Sequence, residues 1–398
     1  MRRPAIRIRL QLPEVKPEKA NPLPPRCPNP QKPCQSNTFH RHQRVTKNVR
    51  DVKVNEVQAQ RWQCTVCGYT FRVYPQGVTH RQQSERLRAM SVLLWVLGLS
   101  FGAVVDFLYA LDCPLEKTTI YDNVRVAGKS AWKGLRARLR GKVKVRVLGT
   151  DCTHEKVNGQ DKVLIQAIDV EKGRTLEIEI LPGEDERTIV RYVQRMAKLV
   201  EAEVLISDDA DAFKTAADAA GLKHQICQRH VVPNTLKLVS EIGTGLLTLS
   251  QAGITTGPAG LDVEQALLDV AELEMLVLAR TPSSQATLEA LQQCYQVASP
   301  PTPGKKASPF YRLRLLTMDL AEDWSRLTLS EHCRAQDGRR LVPPTNNASE
   351  QRIGLNIKER YRTMRGYKSK WSARQVPALI AWLREADEPQ ALYALLVT

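Results

Sequence analysis

Acidic residues are missing where bases are densest. Residues 129–146 carry eight Lys or Arg and no Asp or Glu. Residues 1–50 hold twelve bases against two Glu, and in 352–374 eight bases face Glu359 alone. The opposite deficit marks 240–300, where Arg280 is the one base among seven acids. A surface coated with lysine for solubility would not segregate this sharply. The net charge of +16 therefore points to a polyanionic partner such as a phosphate backbone, which releases counterions for each charge neutralised.

Three further absences narrow the classes. No apolar leader follows Met1-Arg2-Arg3-Pro4, which runs into proline and bases, so a reducing compartment is expected, cytoplasmic and without a membrane. No stretch reads as an unbroken span: residues 89–111 are apolar, yet Gly98, Ser100 and Gly102 interrupt them and Asp106 falls inside. Two short helices meeting at Gly98-Leu99-Ser100 fit better than a transmembrane helix. Coiled-coil heptads are absent, so periodicity identifies no interface. At 398 residues the chain exceeds one hydrophobic core, and about two to three domains are expected.

The nine cysteines sort by spacing. Cys64-Thr-Val-Cys67-Gly68 is a compact knuckle in which glycine lets backbone amides turn toward a thiolate, as in zinc ribbons. Cys27-Pro-Asn-Pro-Gln-Lys-Pro-Cys34 is a wider pair, so a tetrahedral Zn²⁺ site from Cys27, Cys34, Cys64 and Cys67 requires an expanded loop. His40 or His42 is an alternative to one member, and free thiols in a proline-stiffened arm are the plain alternative to the site. Cys113, Cys152, Cys294 and Cys333 have no such partners and read as buried or incidental thiols.

The modules follow in order. Residues 1–26 form a basic, proline-rich, extended arm, and 27–76 the zinc ribbon. Residues 80–130 read as a helix-turn-helix region whose third helix, over 116–125, would turn Lys117, Thr118, Tyr121 and Arg125 toward a DNA groove. Any small helical bundle satisfies the same spacing. Residues 141–234 begin with the alternating strand 142–147, whose valine parity Asp151 shares. Asn158-Gly159 marks a tight hairpin, followed by strands over 162–168 and 175–180. A helix over 184–199, a strand ending at Asp208, a helix over 213–220 and a strand over 222–227 complete the segment. Residues 235–335 are a helical segment, and 340–398 a last segment opened by Glu350. Three antiparallel strands followed by alternating helix and strand is the layout of a ribonuclease-H-like α/β mixed sheet with flanking helices. It would set Asp151 and Asp208 on neighbouring central strands.

Asp151, Asp208 and Glu350 end or open separate elements, and carboxylates so spaced converge only through the fold. A converging trio is a common holder of two Mg²⁺ ions, or Mn²⁺ in their place, for phosphoryl chemistry. Each has a plainer reading. Asp151 suits a strand-end turn, Asp208 competes with Asp209 and Asp211, and Asn347-Ala-Ser-Glu350 is also a capping-box arrangement. Arg352, Lys358, Arg360, Arg362 and Arg365, downstream of the glutamate, suit a clamp on phosphates. Cys227 and His230 have the spacing of half a zinc site; a packed thiol and a surface histidine are the equal alternative.

Gly149-Thr150-Asp151, Ile206-Ser207-Asp208, His224-Gln225-Ile226-Cys227-Gln228-Arg229-His230 and Thr345-Asn346-Asn347-Ala348-Ser349-Glu350 together resemble the DDE transposases of prokaryotic insertion sequences, and more loosely their eukaryotic Mutator-like relatives. With the ribbon and the helix-turn-helix unit, the resemblance spans most of the chain. It implies Mg²⁺-dependent cleavage at transposon ends and joining of the freed 3′ hydroxyl to target DNA, with Asp151, Asp208 and Glu350 as the metal-binding triad. It also implies a helical insertion at 235–335, Cys227 and His230 as an accessory motif, and double-stranded DNA as partner. A homodimer or larger assembly pairing two ends, associated with a prokaryotic nucleoid, belongs to the same expectation. Two alternatives stand beside it: a transposase-derived DNA-binding regulator that no longer cuts, and a ribonuclease-H-like nuclease for branched or hybrid substrates.

Overall fold

The computed structural model describes residues 12–141 and 143–385. Residues 1–11 of the expected arm, Lys142 of the first expected core strand and 386–398 of the last segment lie outside the described residues. In chain order the elements begin with strands β1 (Lys16–Ala20), β2 (Phe39–Asn48), β3 (Glu56–Cys64), β4 (Thr70–Val73) and β5 (Pro75–Gln76). Helices α1 (Glu85–Val96), α2 (Phe101–Tyr109) and α3 (Lys117–Arg140) come next. Then follow β6 (Val147–Val157), β7 (Gln160–Asp169), β8 (Arg174–Leu181), α4 (Glu186–Val200), β9 (Val204–Ser207), α5 (Asp211–Ala219) and β10 (Lys223–Ile226). Helices α6 (Gln228–Gln251), α7 (Val263–Ala279), α8 (Gln285–Tyr295), α9 (Pro309–Leu327), α10 (Leu329–His332) and α11 (Asn347–Ile353) succeed them. A π-helical turn, Gly354–Lys358, leads to α12 (Glu359–Thr363) and α13 (Lys370–Arg384).

The described chain folds as two compact units. One comprises 12–137, Glu155–Asp161 and 354–385; the other comprises Arg138–His154 and Lys162–Ile353. The segment expected at 340–398 therefore divides after Ile353.

In the first unit β2, β3 and β4 form an antiparallel sheet with Phe39 opposite Cys64 and Trp62 opposite Phe71. The stretch 89–111 folds as two helices. Gly98, at φ +120°, makes the turn between them, and the Ser100 side chain caps α2 by accepting from the Ala103 amide at 3.1 Å. No helix among the described residues is long and apolar enough to cross a membrane. The third helix runs well past the expected end at Arg125, because its apolar spacing continues: Ile120, Val124, Ala127, Ala131 and Leu135 are all buried. Lys117, Tyr121, Arg125, Lys129 and Lys133, four residues apart, lie exposed along one face. Gly134 allows the Trp382 ring to approach; a Cβ there would lie 2.7 Å from it.

The second unit is built on a five-stranded sheet in the order β10-β9-β6-β7-β8. β9 runs parallel to both β6 and β10, while β7 and β8 are antiparallel. Asn158 and Gly159, at φ +53° and +78°, make the hairpin turn between β6 and β7 that the Asn-Gly pair predicts. Alternation along the strands separates two faces. Leu148 and Leu205 pack with Ile189, Tyr192, Val193 and Met196 of α4 and Phe213 of α5, whereas Val147, Val204 and Ile206 pack with Val342 on the other side. The expected strand over 142–147 is corrected: pairing begins only at Val147, and Val143 and Val145 join the first of these cores. α6 to α9 enclose a core of Leu246, Leu273, Leu288, Phe310 and Trp324. This helical segment begins at Gln228, directly off β10, and not at 235 as expected.

Candidate active site and metal centres

Cys27, Cys34, Cys64 and Cys67 come together with all four sulfurs within 4.8 Å of one another. Sγ of Cys27 lies 3.5 Å from that of Cys67, and Sγ of Cys34 lies 3.8 Å from that of Cys64. A tetrahedral zinc with Zn–S bonds of about 2.3 Å separates its sulfurs by about 3.8 Å, so the four residues are set to hold such an ion. The Cys67 and Val66 amides donate to the Cys64 thiolate and bring its pKa down to about 6 against the opposing effect of burial. His40 is turned away to Gln63 Oε1 at 3.0 Å and takes no part in the cluster.

The paired acids follow from strand register. Val147, Leu148 and Gly149 of β6 face Val204, Leu205 and Ile206 of parallel β9. Asp151 and Asp208 each lie two residues beyond the Gly149–Ile206 pair, and the charges of both bear on Cys152, the residue next to Asp151. Neighbouring strands lie about 4.8 Å apart. Both aspartates are half-buried. Asp208 directly follows β9, as expected. Asp151 does not end its strand, since β6 continues to Val157, so the strand-end-turn reading does not hold.

Burial raises the proton affinity of Asp208, opposed by the Ala210 amide and His230 and reinforced by the charges of Asp209 and Glu184. Desolvation first, and then the charges of Glu184, just before α4, Asp151 and Asp208, push the half-buried Cys152 thiol up. Three acids thus bear on one small region. Asp209 is drawn off to Lys214 Nζ at 3.0 Å, which also meets Asp323 at 2.5 Å and Asp211 at 3.4 Å. That ion-pair cluster separates the rivals from Asp208.

A relay of hydrogen bonds fixes the backbone beside Asp208. Arg326 Nη1 donates to His224 Nδ1 at 3.4 Å. His224 Nε2 then donates to Ser207 Oγ at 2.8 Å, because the Ser207 hydroxyl is itself committed to the Asp208 carbonyl at 2.9 Å.

The helix that bears Glu350 packs over the same sheet face. Gly149 makes this approach possible, since a Cβ there would lie 2.6 Å from Ser349 Oγ and 2.7 Å from Val170 Cγ2. Asn346 Nδ2 donates to the Thr150 carbonyl at 2.8 Å, and the Asn346 amide donates to Cys227 Sγ at 3.2 Å. Asn347 opens α11, but its Oδ1 accepts from Arg229 at 2.9 Å, so its side chain serves a neighbouring helix. Glu350 Oε1 lies 3.6 Å from His230 Nε2 and 3.8 Å from Cys227 Sγ, with Oε2 3.9 Å from Arg229. Cys227, His230 and Glu350 form the second group among the described residues whose donor atoms all fall within 4.8 Å. The three expected acids do not form such a single-ion group; a pair of ions about 3.5–4 Å apart spreads its donors more widely.

The downstream bases divide. Arg362 and Arg365 are exposed, and Arg352 and Lys358 are half-buried. Arg360 is corrected. It is 4% exposed, lies 4.2 Å over the Trp95 ring and donates to the Gly98 and Leu99 carbonyls at 3.0 and 2.9 Å. Its guanidinium stabilises the turn between α1 and α2 and is not available to a phosphate. On α3, Lys117, Thr118, Tyr121 and Arg125 are exposed; Tyr121 also packs edge-on against Phe101 and Trp371, and Arg125 pairs with Asp122 at 3.6 Å.

Sequence reasoning gave no role to Glu184, His224 or Gly149. A glycine inside a strand pattern is a signal of close backbone approach, and Gly149 carries it. Glu184 leaves no comparable mark, since it lies in the connection between β8 and α4, and His224, on the edge strand β10, stands out only as the first residue of the motif that ends at His230. A scan against protein-family models finds no match, and a search of curated proteins finds none.

Proposed function

We propose that this chain is a DDE-type transposase. It would use a ribonuclease-H-like core to cut DNA and join the freed end to a target, while the zinc ribbon and helix-turn-helix unit hold the transposon ends. The observation that supports this reading is the register of β6 on β9, paired as far as Gly149 and Ile206, with Asp151 and Asp208 each two residues further on and Glu350 on the helix that packs over Gly149. The order β10-β9-β6-β7-β8, with a hairpin-led antiparallel half and a parallel half, supports the ribonuclease-H-like assignment.

The donor set fits Mg²⁺: hard carboxylate oxygens in a half-buried setting. Asp151, Asp208 and Glu350 would hold the ions. Bound there, Mg²⁺ or Mn²⁺ would supply Lewis-acid stabilisation of the attacking and leaving oxygens of a phosphodiester. Asp208, whose proton affinity burial raises, gains most from a neighbouring cation. His224 and Ser207 keep its backbone in place. The exposed stripe of α3 would track one DNA backbone, and the exposed Arg362 and Arg365 of the same unit would add phosphate contacts. Two copies would pair two ends.

The test is nicking of DNA carrying the sequences that flank the reading frame. Native protein nicks it with Mg²⁺, and Asp151→Ala lowers the rate by at least about a hundredfold. Equal nicking by both removes the catalytic assignment and leaves a DNA-binding protein.

A further inference from the structure

We propose that Cys227, His230 and Glu350 form a second site for a thiophilic divalent ion of the zinc class, and that this ion competes with Mg²⁺ for Glu350. The competition, though not the site, rests on the function proposed above.

The distances carry the site. A tetrahedral zinc with Zn–N and Zn–O bonds of about 2.0–2.1 Å and a Zn–S bond of about 2.3 Å separates a nitrogen and an oxygen donor by about 3.3 Å, and a sulfur and an oxygen by about 3.6 Å. His230 Nε2 and Cys227 Sγ stand 3.6 and 3.8 Å from Glu350 Oε1, so each pair needs to close by only a few tenths of an ångström. Cys227 caps α6 and His230 sits in its first turn, which turns both side chains toward one point. Glu350 reaches that point from α11, and the Asn346 amide, donating to Cys227 Sγ at 3.2 Å, is the outer contact that a thiolate ligand needs. Cys227 is buried, but the His230 side chain is 49% exposed. Three protein ligands therefore leave a fourth position open to solvent, and the ion has an approach. On binding, the Cys227 proton passes to solvent and the thiolate bonds the metal.

Thiolate and imidazole select zinc over magnesium. The shared residue is what makes the site regulatory. With Oε1 of Glu350 drawn to Cys227 and His230, the paired aspartates lose the third acid. Zinc would thus hold the cutting site in a disabled arrangement, and its removal would release Glu350.

Metal content gives the test without DNA. After equilibration with micromolar free Zn²⁺ and desalting, the native protein retains two zinc ions per chain. Cys227→Ala and His230→Ala each retain one, the ribbon ion, while a native circular dichroism spectrum and an unchanged urea-unfolding curve report that the unit bearing the site is folded. One zinc in the native protein overturns the site, as do two in both variants. For competition, zinc is titrated into the Mg²⁺-dependent nicking reaction, and the concentration giving half inhibition rises about tenfold or more in Cys227→Ala. An unchanged value overturns the competition. A chain that never nicks DNA yet retains the second zinc keeps the site and loses the transposase reading, so the two failures are distinct.

Discussion

His224 is 4% exposed and bonded on both ring nitrogens. Burial first, and the Arg326 cation second, hold its pKa down to about 3 from an ordinary 6.5. The unfolded chain takes up this proton as pH falls through 6.5, while the folded chain refuses it until about 3. The stabilising contribution is therefore complete above that upper value and declines across the window, by up to about 1.4 kcal/mol per pH unit. Urea unfolding between pH 4 and 7.5 reads this slope, and His224→Gln flattens the part due to this residue. A variant with the native slope would show that another group carries it. Arg360 gives the opposite lesson. Its place in a basic run suggests a phosphate contact, yet the carbonyls left open by the turn at Gly98 need a donor, and it supplies two hydrogen bonds to them. Local charge density does not reveal which base is turned inward.

At the scale of elements, the packing of α11 on β6 depends on the missing side chain of Gly149. Gly149→Ala places a methyl group 2.6 Å from Ser349 Oγ, overpacking that costs about 1–3 kcal/mol. Relief comes from moving α11, so nicking falls by at least about tenfold while circular dichroism keeps the native spectrum. Full activity in this variant would separate Glu350 from the chemistry. Elements in and around this sheet were legible where periodicity was strong. The hairpin at Asn158-Gly159, the strand before Asp208 and the amphipathic α4 follow their patterns. The start of β6 was not legible, because Val143 and Val145 alternate as a strand does but satisfy a core without pairing. The length of α3 was not legible either, because bases on its exposed face hide a continuing apolar stripe.

At the scale of the whole molecule, charge segregation was legible, and the four-cysteine cluster was legible from one compact knuckle and one wide pair. The assignment of 354–385 to the N-terminal unit was not legible, since it depends on long-range packing such as Arg360 on the α1–α2 turn and Trp382 on Gly134. The helical face of Lys117, Arg125 and Lys129 gives a prediction at this scale. Replacing all three by Ala weakens DNA binding across sequences and reduces the slope of log affinity against log salt by about three. Filter binding at several salt concentrations measures it, and an unchanged slope would move the DNA path off α3.

The most direct measurement is anomalous scattering from crystals soaked in Mn²⁺, which stands in for Mg²⁺ at oxygen donors. The account predicts manganese in ligand contact with both Asp151 and Asp208, with a second ion toward Glu350. Manganese found instead among Asp209, Asp211 and Asp323, the acids around Lys214, with Asp151 and Asp208 ordered and metal-free, would contradict it.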